Sequence, residues 1–424
     1  MSAFTSRWVE RPPHVVELSP AALPLGFRAS GAAAGLKAAP PGGSADPPLD
    51  VGVLVSDRPD TVSAARFTTN ARLGAPVTVS KESALGRLRA VVANSGGSNT
   101  GDGERGLDTA RATQVAAAEL LGVERNQVGL ASTGVIGTEL YREGLLEGVR
   151  LGVASLEPDA DGFSRAILTT DAGPKRACLE VALPSGSVRL AAQAKGAGMI
   201  SPRYATMFCF VETDAALAPE TIELLTGVCV KRSFDRISVD GQLSTSDTVF
   251  ALANGASGVA VAPESEDELR LGEALDALMR TLALAIVADG EGAARVGRVV
   301  VRGEPDSVEP VARAVADSPL VKTALNGADP NFGRILQAAG QALAGRDGGP
   351  AAIAHLDLDV QGRRLVSGGA TLDLDEAEWR SLEAAVAAPE VEYALTLPGS
   401  GGEAEVFFSD LGHGYVTINA EYTS

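Results

Sequence analysis

Thr206 stands where a stiff, glycine-rich loop becomes an apolar run, in KGAGMISPRYATMFCF (Lys195–Phe210), directly after the small residue Ala205. A threonine hydroxyl is a weak nucleophile unless a neighbouring group takes its proton. Its own α-amine can do so when the threonine is N-terminal. Such an amine ordinarily titrates at about 7.7–8.0, close to working pH. An internal threonine has no free amine, so the Ala205–Thr206 bond would first have to be cut. Attack of the hydroxyl on the preceding carbonyl does this through an N-to-O acyl shift and hydrolysis of the ester. A small residue in a constrained loop, beside amide donors for the oxyanion, suits the step. Threonine in Ala-Thr-Met-Phe is also ordinary strand composition. The residues alone leave both readings open.

A second stretch, ASTGVIG (Ala131–Gly137), puts Thr133 and Gly134 at the end of a strand-like run, where backbone and hydroxyl donors could meet an oxyanion. Ser-Thr-Gly at a strand end is equally a common turn. Histidine-based triads need an imidazole base. The chain has only His14, His355 and His413. His14 falls in an expected loose arm, His355 in an apolar, strand-like stretch, and His413 after a glycine-rich turn, where it alone could serve a site. Cys178, Cys209 and Cys229 form neither a disulfide framework nor a zinc pattern, and are expected to pack as small hydrophobes. The glycine-rich GSGGEAE from Gly399 lacks the lysine of a phosphate loop and suggests a hairpin.

The elements that must position these groups read as alternating strands and helices, which gives an α/β or α+β class. Strands are expected at 51–57, 89–96 and from 127 into the Thr133–Gly134 turn. Helices are expected at 106–122, with Gly122 as C-cap, and at 273–292. A strand should start at 295. A helix over 328–345 should be capped by Asp329, and the chain should end as a polar strand. Residues 1–25 read as a loose arm, 26–295 as a larger core domain and 296–424 as a smaller C-terminal one.

Composition excludes some classes. At 45% hydrophobic residues the chain can bury a core, and at a net charge of −18 it does not suit phosphate backbones or anionic membranes. Its longest apolar runs, such as LALAIVA (Leu282–Ala288), are far too short to span a bilayer. With no apolar segment near the N-terminus, a cytoplasmic protein is expected.

Taken together, GFRASGAAAGLK, FTTNARLGAPV, STGVIG, AILTTDAGPK, KGAGMISPRYATM, RISVDGQLSTSDTVFALANG, ADGEGA, VKTALNGADPNFGRIL and YVTINAEYTS resemble one family. It is the ornithine acetyltransferases of arginine biosynthesis, also called bifunctional glutamate N-acetyltransferases. The motifs run in the family's order over residues 25–424. The resemblance implies layered mixed sheets with helices, in a fold similar to that of the DmpA-like aminopeptidases. It implies self-cleavage between Ala205 and Thr206 into an α chain, 1–205, and a β chain, 206–424, assembled as two of each. Thr206 would be the nucleophile, and Thr133 and Gly134 the oxyanion pair. Thr169, Lys195, Glu291, Asn419 and Ser424 would contact substrate, the last two from a tail folded back to the site. No metal or resident cofactor is implied. Acetyl-CoA is a possible co-substrate beside N2-acetyl-ornithine and glutamate.

The chain departs from the family pattern at Ser201-Pro202-Arg203-Tyr204, at Gly97, at Gly101-Asp102 and at Gln242-Leu243. The proposed nucleophile, oxyanion pair, lysine and glutamate are kept. A specialised acetyltransferase of secondary metabolism, a related self-processing amidohydrolase or aminopeptidase, and an uncleaved binding protein are the other readings.

Overall fold

A computed structural model describes residues 2–37, 46–201 and 207–421. Two sheets packed face to face build the centre. One has six strands in the order Val15–Glu17, Lys175–Leu183, Gly186–Lys195, Phe208–Thr213, Thr248–Ala253, Val62–Phe67. The other has four, ordered Phe27–Ala32, Val51–Ser56, Ala90–Asn94, Val128–Ser132. Period-two alternation decides what each face does. Phe208 and Phe210 enter the layer between the sheets, with Phe163, Phe250, Leu54 and Ala131. Cys209 and Val211 point the other way, into a core shared with the helix Glu266–Ala288. The outer face of the four-stranded sheet is covered by the helices Gly103–Leu121 and Arg142–Ala154. The result is a helix–sheet–sheet–helix stack in a mixed α/β chain.

Small residues set the spacing between the layers. The Phe250 ring lies where a Cβ on Gly129 would be, at 2.8 Å, and Phe163 fills the same place over Gly52 at 2.8 Å. Rings take the volume that the glycines leave, which gives the density of a close-packed core.

A seven-stranded sheet follows, ordered Ile237–Ser238, Gly402–Ser409, Val296–Gly303, Glu390–Thr396, Asp357–Val360, Arg363–Ser367, Ala370–Thr371. Its core is separate, built from Val299, Leu358 and Phe408 against the helices Pro305–Asp317 and Phe332–Leu343. It takes one short strand, Ile237–Ser238, from earlier in the chain.

Most expected elements are present, including the left-handed C-cap at Gly122 (φ 66°). Five expectations need correction. The N-terminal segment is not loose: Val15–Glu17 pairs with Lys175–Leu183, Val9 and Val15 are buried, and the Trp8 ring lies 5.5 Å from Phe407. His355 is exposed at the end of the helix Gly349–Ala354, just before the strand begins. Asp329 does not cap its helix, which starts at Phe332; its carboxylate accepts from the Asn331 side chain instead, at 3.1 Å. The Gly399–Gly401 turn is no hairpin, because Val296–Gly303 lies between the two strands it joins. The tail is a helix, His413–Glu421, despite its β-branched Val416, Thr417 and Ile418. It is held by hydrogen bonds from Tyr415 and Asn419, so tertiary context overrides propensity.

All three cysteines are free and buried. Among the described residues no helix is long and apolar enough to cross a membrane, and no cluster of His, Cys, Asp or Glu could hold a metal ion.

Candidate active site

The parallel strands Ala90–Asn94 and Val128–Ser132 end side by side and continue into two loops that still touch. The Asn94 side chain donates to the Gly97 carbonyl at 3.0 Å, and the Thr133 amide donates to the Asn94 carbonyl at 3.0 Å. Gly134 lies against the opposite loop at φ 126°. A Cβ there would be 2.7 Å from both the Gly96 carbonyl carbon and the Gly97 nitrogen. Only glycine meets both the positive φ and the close approach. The strands therefore deliver Thr133, 3% exposed, and Gly134 at one point.

Lys195 ends the central strand Gly186–Lys195 and pairs across the ladder with Phe208. Its ammonium is buried and donates to Thr169 Oγ1 at 2.7 Å and, more loosely, to Thr133 Oγ1 at 3.4 Å. Asp171 organises this cation. Its carboxylate is fully buried, lies 3.9 Å from the Lys195 nitrogen and 2.6 Å from that of Lys175, and accepts the amides of Thr169 and Gly196. Asp289 closes the network on the far side of Lys175 at 2.5 Å. Burial alone would raise the Asp171 pKa; the Lys195 and Lys175 charges outweigh it and bring it down to about 2. Burial lowers the pKa of Lys195, against the opposing pull of Asp171.

Glu291 follows the long helix and packs over Gly198, where a Cβ would be 2.5 Å from its carboxylate. Its backbone amide donates to the Ala197 carbonyl at 2.9 Å. Thr170 Oγ1 donates to one carboxylate oxygen at 2.7 Å, and Asn419 Nδ2 donates to the other at 2.6 Å. The tail helix thus reaches the site, with Gly414 against Gly292 and the Tyr415 hydroxyl 3.2 Å from Asp240.

The structure brings Thr133, Gly134, Thr169, Lys195, Glu291 and Asn419 together. Ala205, Thr206 and Ser424 lie outside the described residues, as do Arg203 and Tyr204. Both flanks of the 202–206 stretch are anchored by aspartates. Asp240 accepts the amides of Met199 at 2.6 Å and Ile200 at 2.8 Å. Asp247 accepts the Met207 amide at 3.1 Å. Burial raises the Asp247 pKa well above the usual carboxylate value. Met199 sits at φ 56°, a strained backbone for a residue with a side chain.

Asp171, Lys175, Asp240, Asp247 and Asp289 do not stand out as individuals in the sequence. All five lie inside the motifs that carry the family resemblance, and the four-residue spacing of Asp171 and Lys175 is the one local signal that could have found any of them. His413 is exposed at the start of the tail helix, and none of the contacts above involves its side chain. Gly97 lies against Gly134 and Gly101 against Gly137, and Gly101 takes φ 98°. Gln242 is exposed and folds back on the Asp240 carbonyl. A groove of about 750 Å³ lined by Leu224, Val228 and Leu269 opens at the N-terminal half of the long helix. It is remote from Glu291, which follows that helix's C-terminal end.

The ArgJ family model matches residues 28–424. The arginine biosynthesis bifunctional protein ArgJ of Nitratidesulfovibrio vulgaris is 42% identical over 408 residues, covering 95% of this chain and all of that one. Its counterpart in Dehalococcoides mccartyi is 39% identical, covering 95% and 96% of the two chains. Among solved structures, an ornithine acetyltransferase of Mycobacterium tuberculosis complexed with ornithine is 32% identical. That match covers 46% of this chain and 99% of the solved one at a TM-score of 0.40.

Proposed function

Because the chain belongs to the ArgJ family, the bifunctional ornithine acetyltransferases of arginine biosynthesis, we propose that it moves acetyl groups by a ping-pong reaction on Thr206. The Ala205–Thr206 bond is cut first, which frees the Thr206 α-amine as base. The Thr206 hydroxyl then attacks the acetyl carbonyl of N2-acetyl-ornithine and gives its proton to that amine. The tetrahedral oxyanion is held at Thr133 and Gly134. The carbon–nitrogen bond breaks, the proton passes to the leaving α-amine of ornithine, and an acetyl-threonine ester remains. The α-amine of glutamate attacks this ester, the ester bond breaks, and the proton returns to the Thr206 oxygen.

The observation that carries this reading is the convergence at Lys195. A buried ammonium hydrogen-bonded to Thr169 lies beside Thr133, on the strand residue paired with Phe208, two positions after Thr206. An ammonium there suits a substrate α-carboxylate. Glu291 suits the side-chain ammonium of ornithine, and Asn419, with Ser424 beyond it, supplies the tail's polar contacts. Acetyl-CoA fits the same reading as a second donor. The cleaved chains, 1–205 and 206–424, would assemble as two of each.

Purified protein given N2-acetyl-ornithine and glutamate should yield N-acetylglutamate and ornithine in equal amounts. Free acetate formed without any requirement for glutamate would instead mark a hydrolase.

A further inference from the structure

Donor and acceptor differ in one respect that Glu291 cannot serve. N2-acetyl-ornithine ends its side chain in an ammonium, but glutamate ends in a carboxylate, which Glu291 would repel. Both molecules share the α-carboxylate that Lys195 suits. The acceptor therefore needs a second cation near the oxyanion turn. Lys175 is already held by Asp171 and Asp289.

Lys37 is placed differently. The buried carboxylate of Asp50 pins the segment before it, accepting the amides of Ala34 and Leu36 at 2.7 Å and that of Lys37 at 3.2 Å. This presses the segment onto Gly96, where a Cβ would be 2.4 Å from the Leu36 carbonyl oxygen and 3.1 Å from the Lys37 nitrogen. Gly96 backs directly on Gly134, so one glycine separates the Lys37 backbone from the oxyanion turn. Among the described residues the Lys37 ammonium makes one hydrogen bond, to the Leu49 carbonyl at 2.7 Å, and has no ion-pair partner. An ammonium has three donors, so capacity remains. Burial, together with the nearby Lys195 charge, lowers its pKa to about 8, against the pull of Asp50 and Asp171. Lys37 and Lys195 thus share one electrostatic environment, and Lys37 has no carboxylate of its own at ion-pair distance among the described residues.

We propose that Lys37 binds the side-chain carboxylate of the acceptor glutamate and so selects the acceptor in the second half-reaction. The proposal rests on the transferase reading above. Its test uses full-length, processed enzyme and the variants Lys37→Met and Lys37→Arg, and follows each half-reaction separately. Ornithine release from N2-acetyl-ornithine alone reads the first half, and full exchange at varied glutamate reads the second. Losing one charge pair should raise the glutamate KM of Lys37→Met by about tenfold or more, with ornithine release changed by less than about threefold. Lys37→Arg should recover most of the loss. Glutamine should become a relatively better acceptor for Lys37→Met than for the parent enzyme. An unchanged glutamate KM overturns the proposal, as does an equal fall in both half-reactions, or a rise confined to the KM for acetyl-CoA. A parent enzyme that releases no ornithine overturns the transferase reading itself, and the proposal with it.

Discussion

At the scale of single residues, the site sets buried cations, Lys175 and Lys195, against the buried carboxylate of Asp171. Lys195 is buried, which lowers its pKa, and Asp171, 3.9 Å from the ammonium, opposes that shift. Replacing Asp171 with Asn removes a charge that raises the Lys195 pKa, so burial then lowers it further. The alkaline limb of the pH–kcat/KM profile should move to lower pH, and the KM for N2-acetyl-ornithine should rise about ten- to a hundredfold. Steady-state kinetics across pH would check this, and an unmoved alkaline limb would remove Asp171 from the account. Residue types alone left Thr133 and Gly134 open between an ordinary turn and an oxyanion pair, and Lys195 and Glu291 stood out only through the family resemblance of the motifs that hold them. Asp171 and Asp247 did not stand out, since an aspartate near a glycine turn reads the same whether it faces water or anchors an active site. Only the fold shows that Asp171 is buried between two lysines and that Asp247 holds the amide after Thr206.

At the scale of elements, the central sheet carries an unusual load. Glu212 lies on Phe208–Thr213 inside the sheet-to-sheet layer, where one carboxyl oxygen meets Gln193 at 3.1 Å and the other has no partner among the described residues. Burial raises its pKa to about 8. In the unfolded chain the group ionises near a pKa of about 4.3. Its stabilising contribution is therefore complete below that value and is lost as pH rises through about 8. Glu212→Gln should flatten this dependence and stabilise the protein by on the order of 2–4 kcal/mol near pH 9. Urea unfolding at several pH values measures it, and parallel curves for parent and variant would refute it. The apolar runs made Val51–Ser56, Ala90–Asn94 and Val128–Ser132 readable as strands, but not the central pair Lys175–Leu183 and Gly186–Lys195, which no local run singled out. The tail was not readable either: Val416 and Ile418 favour a strand, and nothing local reveals that the nearest partners are Glu291 and Asp240.

At the scale of the whole molecule, one carboxylate joins the seven-stranded sheet to the central stack. Glu405 meets Arg298 on the neighbouring strand, Arg280 on the long helix and Arg236 beside it, the last two at 3.0 and 3.2 Å. Burial opposes its ionisation, but Arg280 and Arg298 keep its pKa below the usual value. Glu405→Ala strips these guanidiniums of their shared partner and should cost about 3–5 kcal/mol. The loss should be seen as a lower urea midpoint, and an unchanged midpoint would show that the cluster does not hold the layers together. Such a junction is invisible in sequence, because its members lie up to 169 residues apart. The central claim for the molecule is that Thr206 becomes an N-terminal nucleophile, and intact mass with N-terminal sequencing of the purified protein tests it most directly. The account predicts two chains of nearly equal length, one of them beginning Thr-Met-Phe. A single uncut chain that still transfers acetyl groups would contradict it.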